Sequence, residues 1–445
     1  PNVTDLSHKK VTSVTLLSLK SHPSGDETDT LHMKNKIESA IVLGLAIGFP
    51  AAAIAGAETP ITEAPASNSG DWCTWLQNKP GILYKSKENP FIQEFQIEGR
   101  VQYQFAHVDG DSIASGDWDE DYDEVRRARL GVKMKFLQYF GLKYQANLVN
   151  DARPEGGDLD WGYDSIDEAY LSFNLGKALG ETGFDELNLV YGCQKFVFGT
   201  ESHNSSTKLL TIERSALANK VYGSFRPTGL TLEGAKGPWS FATSLYSSTT
   251  DGEDNEEFNG WQDSYSVLFN AAYQVNDELL LRGDFTYNDG EPTSEDSVMD
   301  YQWALGFGAE YDAGPWGMTA DVIYGDNGDA DYNSNADRQG SFYGMQVTPY
   351  YWLIAKKLQL VGQYQYQGSD GDEGVRINSR YGRRDGSIDI NSGRGDSHHS
   401  LYTGLNYYLC GHNAKVQAGI EYQTMDAPTG DFDSLTYLVG FRTFF

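Results

Sequence analysis

The chain has 445 residues, a formal net charge of −29 and a mean hydropathy of −0.50. That polarity excludes helical membrane spans, and the acidity argues against nucleic acid as a partner. Tyrosine (28) and glycine (48) are abundant and cysteines number three, which points to a large β architecture without a disulfide framework.

Residues 1–32 carry no targeting signal and read as upstream sequence translated from a start placed too early. Met33-Lys34-Asn35-Lys36 opens a basic segment, and Ile41 to Ile47 is a short apolar run. Ala53-Ile54-Ala55 and Ala55-Gly56-Ala57 are both acceptable cleavage sites, so 33–57 reads as a signal peptide. The run is too short to span a bilayer as a helix. Residues 1–57 hold as many lysines as acids, so the mature chain keeps the full acidity. Residues 58–92 form a polar lead-in, with one short helical turn at Asp71 to Leu76 and no heptads.

From Phe91 onward apolar and polar residues alternate in segments of about ten, the length of a tilted membrane-crossing strand. The segments are 93–107, 126–136, 139–149, 166–175, 186–198, 229–236, 239–247, 264–275, 278–288, 301–312, 315–325, 341–354, 358–368, 399–409, 414–425 and 434–445. Their spacers alternate short and long. The count is sixteen, so the expected fold is all-β: a 16-stranded antiparallel transmembrane barrel over 93–445, with both termini periplasmic. Pro349 predicts a bulge or break. Arg226-Pro227 assigns 218–225 to the third loop. The closing strand ends on Phe445, an aromatic terminus that fits recognition by barrel-assembly machinery. Cys73 and Cys410 both fall on the periplasmic side, and one bridge between them is compatible with this topology.

One phase of each strand is apolar with aromatic ends, as in Tyr265, Val267, Phe269, Ala271 and Tyr273, and predicts a lipid face. The other phase lines the lumen. Arg127, Arg129, Lys133 and Lys135 share that phase on the second strand, and Arg126 precedes them. Arg100 and Lys143 lie inward on the flanking strands and Arg442 on the closing strand. This makes a basic wall about three strands wide. Inward acids (Glu98, Glu168, Asp284, Glu310, Asp321, Glu421) leave two readings open: cross-strand pairing that keeps the lumen wet, or a path along which cations replace part of an anion's hydration.

The third loop, 199–228, carries His203, Lys208, Glu213, Arg214, Lys220 and Arg226. It folds either inward, as a constriction, or outward. The seventh loop carries Arg376, Arg380, Arg383, Arg384 and Arg394, and is compatible with a lipopolysaccharide-binding patch or a vestibule element. His398-His399 lies beside two serines without a nucleophile elbow. The acidic run 326–331 lacks an EF-hand's spacing. No catalytic, cofactor or metal site is expected.

Three motifs resemble, in order, those of the phosphate-selective porin O/P family. Arg126-Arg127-Ala128-Arg129-Leu130-Gly131 is similar to its arginine-rich second strand. Asp167-Glu168-Ala169-Tyr170-Leu171 resembles the strand motif that follows. Gly192-Cys193-Gln194-Lys195-Phe196 with Ile212-Glu213-Arg214-Ser215 resembles the fifth strand and constricting third loop. The resemblance implies an inward-folded third loop, a homotrimeric channel and guidance of anions by arginines and lysines. Arg126 and Arg127 match the family's central arginines, and Lys208 its loop lysine. The fifth loop, 289–300, departs by lacking Arg and Lys, and the acidic outer loops oppose strict phosphate selectivity.

The resulting expectation is an outer-membrane porin of a Gram-negative-type bacterium, surrounded by lipid and lipopolysaccharide. It passes small hydrophilic solutes and ions and prefers anions, phosphate among them. The residues setting that preference are Arg100, Arg126, Arg127, Arg129, Lys133, Lys135, Lys143, Lys208, Arg214 and Arg442. A general or cation-preferring porin and a structural or surface-interaction barrel with a plugged lumen stay open beside it.

Overall fold

The computed structural model describes residues 70–112, 116–149, 159–222, 226–247, 264–290, 299–377, 380–382 and 393–445. The expected upstream segment, the signal peptide and the lead-in up to residue 69 lie outside the described residues, as do most of the acidic loops 150–158 and 248–263, the fifth-loop stretch 291–298, and Arg383 and Arg384. Among the described residues are four α-helices, α1 (Gly70–Gln77), α2 (Leu175–Leu179), α3 (Thr200–His203) and α4 (Ala216–Tyr222), and one 3-10 turn at Ala336–Arg338. The strands are β1 (Ile82–Lys85), β2 (Ile92–Ser112), β3 (Gly116–Phe136), β4 (Phe140–Val149), β5 (Trp161–Asn174), β6 (Glu186–Cys193), β7 (Thr228–Lys236), β8 (Trp239–Ser247), β9 (Tyr265–Gln274) and β10 (Leu279–Asn288). They continue as β11 (Trp303–Ala313), β12 (Trp316–Asp326), β13 (Ser341–Ile354), β14 (Leu358–Ser369), β15 (Val375–Arg376), β16 (Arg394–Gly395), β17 (Ser397–Tyr408), β18 (Ala414–Asp426) and β19 (Phe432–Phe444).

Sixteen of these strands, β2 to β14 and β17 to β19, close an antiparallel barrel, with β19 returning to β2. Each corresponds to one expected segment. Two differences matter. The first hairpin does not end at 107 but runs on as a paired ribbon to Ser112↔Gly116. The strand expected over 186–198 stops at Cys193. Gly192 has φ +133°, and a Cβ there would stand 2.3 Å from the Ala169 carbonyl oxygen. The chain leaves the wall at the one residue that tolerates that turn. At Pro349 the ladder to β14 lapses and resumes in the same register at Tyr350↔Val361.

Burial is inverted relative to a water-soluble sheet. Along β17, Leu401 and Leu405 are exposed while Ser400, Asn406 and Tyr408 are buried. On β14, Gln363, Gln365 and Gln367 are buried and Leu360 is exposed. An apolar exterior around a polar interior is stable only in an apolar solvent.

The seam between first and last strand carries an added clasp. β19 ends opposite Arg100, and β2 projects past it. β1 takes over the open edge, pairing Lys85 with Glu94 and Tyr84 with Phe95, and the Gly81 carbonyl accepts from the Ile97 amide at 2.8 Å. Cys73 in α1 is disulfide-bonded to Cys410 at the end of β17. Cys73, Leu76, Cys410 and Ala414 form a small apolar cluster. The bond joins chain leading into β2 to chain leading into β18, so it spans the seam. We expect reduction, or Cys73→Ser, to remove about 2–4 kcal/mol of stability. The midpoint of heat-induced unfolding on non-reducing gels should fall, and an unchanged midpoint would show the clasp to be idle.

Candidate functional site

Two β-bulges set the chemistry of the lumen. Gln102 pairs with Arg127 and Tyr103 with Val125, so Arg126 is the extra residue of a bulge in β3. Gln145 pairs with Glu168 and Ala146 with Ile166, so Asp167 is the extra residue of a bulge in β5. A bulge lets two adjacent side chains face one way. Arg126 and Arg127 are therefore both inward, and so are Asp167 and Glu168.

A row of cations crosses the seam in register. Lys415 on β18 lies opposite Arg442 on β19, Arg442 opposite Gln102 on β2, and Gln102 opposite Arg127 on β3. One residue pair lower, Arg100 lies opposite Arg129. Lys415 and Arg442 are 0% and 1% exposed, and Arg127 is 8% exposed. Like charges placed opposite one another destabilise a sheet. The compensation comes mostly from dipoles. The Gln102 side-chain oxygen accepts from Arg127 at 2.8 Å and from Arg442 at 3.5 Å.

The remaining acceptors belong to the third loop, 194–227, which folds into the barrel. Its Leu209 carbonyl accepts from Lys415 at 2.6 Å, its Ser206 carbonyl from Arg442 at 3.3 Å, and its Ile212 carbonyl from Arg442 as well. The Ser206 hydroxyl accepts from Arg100 at 2.7 Å. On the opposite wall Asp321 receives the Thr200 amide at 3.0 Å and Asp284 the Gly199 amide at 2.8 Å, which caps the start of α3. Phe196, Phe198, Leu217 and Val221 pack against Leu268, Ile323 and Phe342 of the wall. The inward alternative is thus the observed one.

The structure divides the expected site residues in two. Arg126 forks onto Glu213 of the loop at 2.7 and 3.2 Å. Arg129 bonds Asp167 at 2.7 Å, Lys133 bonds Glu98 at 2.5 Å, Lys143 bonds Glu168, and Lys135 stands 3.9 Å from Glu94. These five are ion-paired. Arg100, Arg127, Lys208, Arg214 and Arg442 have no carboxylate partner among the described residues. Arg214 donates to the Glu201 and Asn204 carbonyls and lies 5.1 Å from the Tyr222 ring. Lys208 is exposed.

Sequence reasoning missed Lys415, Lys195 and the part played by Arg226. Lys415 was readable from its inward phase beside Gln417. Lys195 donates to the Ser202 and Asn204 carbonyls and shares the Tyr222 ring with Arg214 and Arg226. Burial, then the neighbouring Arg214 and Arg226, hold its ammonium well below the usual lysine range. Arg226 closes the loop's base on Asp167 at 2.9 Å. No group of three or more metal-binding side chains occurs among the described residues.

Residues 95–277 match the family model described as phosphate-selective porin O and P. Over that stretch the chain is similar to this porin family. Its fold is shared with OmpT, an outer membrane protein of Vibrio cholerae (TM-score 0.50, 11% identity, 82% of this chain and 99% of that chain). It is shared too with the outer membrane channel DcaP of Acinetobacter baumannii (0.51, 15%, 81% and 99%). Salmonella typhi OmpF, in complex with daunomycin, aligns with a TM-score of 0.50 at 13% identity over 81% of this chain and 100% of that chain. No curated protein sequence matches the chain. The protein is an outer-membrane porin.

In this porin the Arg126–Glu213 fork fixes the loop. Burial alone would raise the Glu213 carboxyl, but Arg126 and Arg127 outweigh it and hold it well below the ordinary value of 4.5. The fork's contribution is therefore complete above the ordinary glutamate range and is lost as pH falls through the lowered value. Glu213→Gln should cost about 3 kcal/mol at neutral pH. Unfolding midpoints of the two proteins should converge only in strong acid, and convergence already near pH 5 would refute the assignment.

Proposed function

We propose that this porin passes small hydrophilic solutes and ions with a preference for anions, phosphate among them. The observation that carries the reading is the in-register row Lys415–Arg442–Gln102–Arg127, whose cations meet carbonyl dipoles and, among the described residues, no carboxylate. A dipole satisfies a donor without cancelling its charge, so the row keeps a positive field into the lumen. Arg100, Arg126, Arg129, Lys133, Lys135, Lys143, Lys208 and Arg214 serve as the rest of the anion-guiding set. Their ion-paired members trade partners with a passing anion, and the unpaired ones attract it.

A further group of acids lies outside the lumen. Asp109 faces Asp119, Asp111 faces Asp117, and Asp433 flanks Asp111 on the ribbon of β2, β3 and β19. They follow the phase of lipid-facing Phe105, outside the lumen, where they suit contact with the lipopolysaccharide layer. The reading also takes both termini as periplasmic, 1–32 as upstream sequence, 33–57 as a cleaved signal, 58–92 as a lead-in and the assembly as a homotrimer.

The protein in planar bilayers under a KCl gradient tests this. We expect an anion-favouring reversal potential and block of chloride current by phosphate. One charge about 6 Å from the ion path in water is worth roughly 0.7 kcal/mol, with opposite sign for anion and cation, so Arg127→Gln should lower the anion-to-cation permeability ratio about tenfold. A cation-favouring potential sinks the reading. Absence of conductance would favour a plugged barrel, which the loop's bonds to both walls make the specific alternative.

A further inference from the structure

We propose that Arg380 of the seventh loop (370–396) is a specificity-determining residue of this pore, acting by neutralising Glu124 above the arginine pair. The bulge that turns Arg126 inward shifts the phase of β3, so Glu124 faces inward too. Glu124 is 5% exposed. Strict alternation would have placed it on the lipid side, and nothing in the pattern of the chain marks it as a lumen carboxylate.

The seventh loop reaches in to meet it. Arg380 forks onto Glu124, Nε to Oε1 at 2.6 Å and a terminal nitrogen to Oε2. The next residue, Tyr381, donates its hydroxyl hydrogen to the same carboxylate and is 1% exposed. Its ring lies 5.3 Å from that of Tyr122 and packs in a cluster with Ile212 of the third loop. The Gln104 amide joins the two loops, donating to the Tyr381 oxygen at 2.6 Å and to Glu213 at 2.8 Å.

Charge bookkeeping follows from these contacts. With Arg380 seated, Glu124 is neutralised and the level just beneath it keeps the charge of Arg127. Without it, the part of the Glu124 charge that Arg380 offsets is restored next to Arg126, opposes Arg127 and favours cations. Arg380 thus sets ion preference while lying outside the basic wall.

This rests on an open, ion-conducting barrel, and it is read relative to the parent channel, so it stands or falls separately from the sign of the parent's preference. The experiment measures reversal potentials of Arg380→Gln, Glu124→Gln and the double variant in planar bilayers under one KCl gradient. Arg380→Gln should lower the anion-to-cation permeability ratio about threefold. Glu124→Gln, which removes the carboxylate and keeps its shape, should raise the ratio. The double variant should return to near the parent value, because the carboxylate that Arg380 neutralises is gone. An Arg380→Gln channel with the parent's ratio overturns the proposal, as does a double variant shifted as far as Arg380→Gln alone. Should Arg380→Gln fail to assemble, Glu124→Gln decides, and a ratio that does not rise overturns the proposal.

Discussion

Buried like charges in register are the constraint on which the rest depends. Lys415, Arg442 and Arg127 sit on neighbouring strands at one level, none with a carboxylate partner among the described residues, and each buried cation left without acceptors would cost several kcal/mol, on the order of the gap that keeps a domain folded. The barrel wall can offer only Gln102 between them. The carbonyls of Ser206, Leu209 and Ile212 supply the remainder, and these exist at that height only because the third loop folds inward. Loop and wall are therefore mutually dependent. The loop is held because the cations need acceptors, and the cations are tolerated because the loop supplies dipoles. A counter-charge in place of those dipoles would have stabilised the wall and abolished its field.

The same dependence explains the interior's glutamines. A loop backbone laid against a wall presents both donors and acceptors, and only side chains that can do either will bind it in any orientation. Gln365 accepts the Ala216 amide at 2.7 Å, and Gln363 donates to Glu201 at 2.9 Å. Gln417 donates to the Leu210 carbonyl at 3.1 Å. A charged wall would have paired with itself, and an apolar one would have left the loop's backbone unsatisfied. Buried, the Glu201 carboxyl is raised, partly offset by donation from Ser215.

All sixteen barrel strands were legible because each must show an apolar face to lipid, a period-two signal that survives any detail of register. What hid was wherever that period breaks. Arg126 and Asp167 look like ordinary members of alternating runs, and a bulge leaves no residue-type mark in either. Consequently the inward acid Glu124 was invisible while the inward Arg127, on the unbroken side, was plain. The pairing of Lys133 with Glu98 and of Arg129 with Asp167 was also out of reach, since phase tells which way a side chain points and not what it meets. The Cys73–Cys410 bond lay between: the topology permitted it, but only the course of β1 along the exposed edge of β2 brings α1 under the end of β17.

The match to the porin family ends at residue 277, and the charged row does not. Arg100, Arg126, Arg127 and the third loop fall inside the matched stretch. Lys415, Arg442, Arg380 and the glutamines of β14 fall beyond it, and of the strands concerned β19 meets β2 only when the barrel closes. The charged row is thus assembled from both halves of the chain, and the seam is where they join. Closure at β19–β2 brings Arg442 beside Gln102 and so completes the row. It follows that the stretch carrying the family's motifs can fix how the third loop is anchored. The set of charges beside that loop depends equally on the C-terminal strands, which supply Lys415 and Arg442, and on the seventh loop, which sets Arg380 against Glu124.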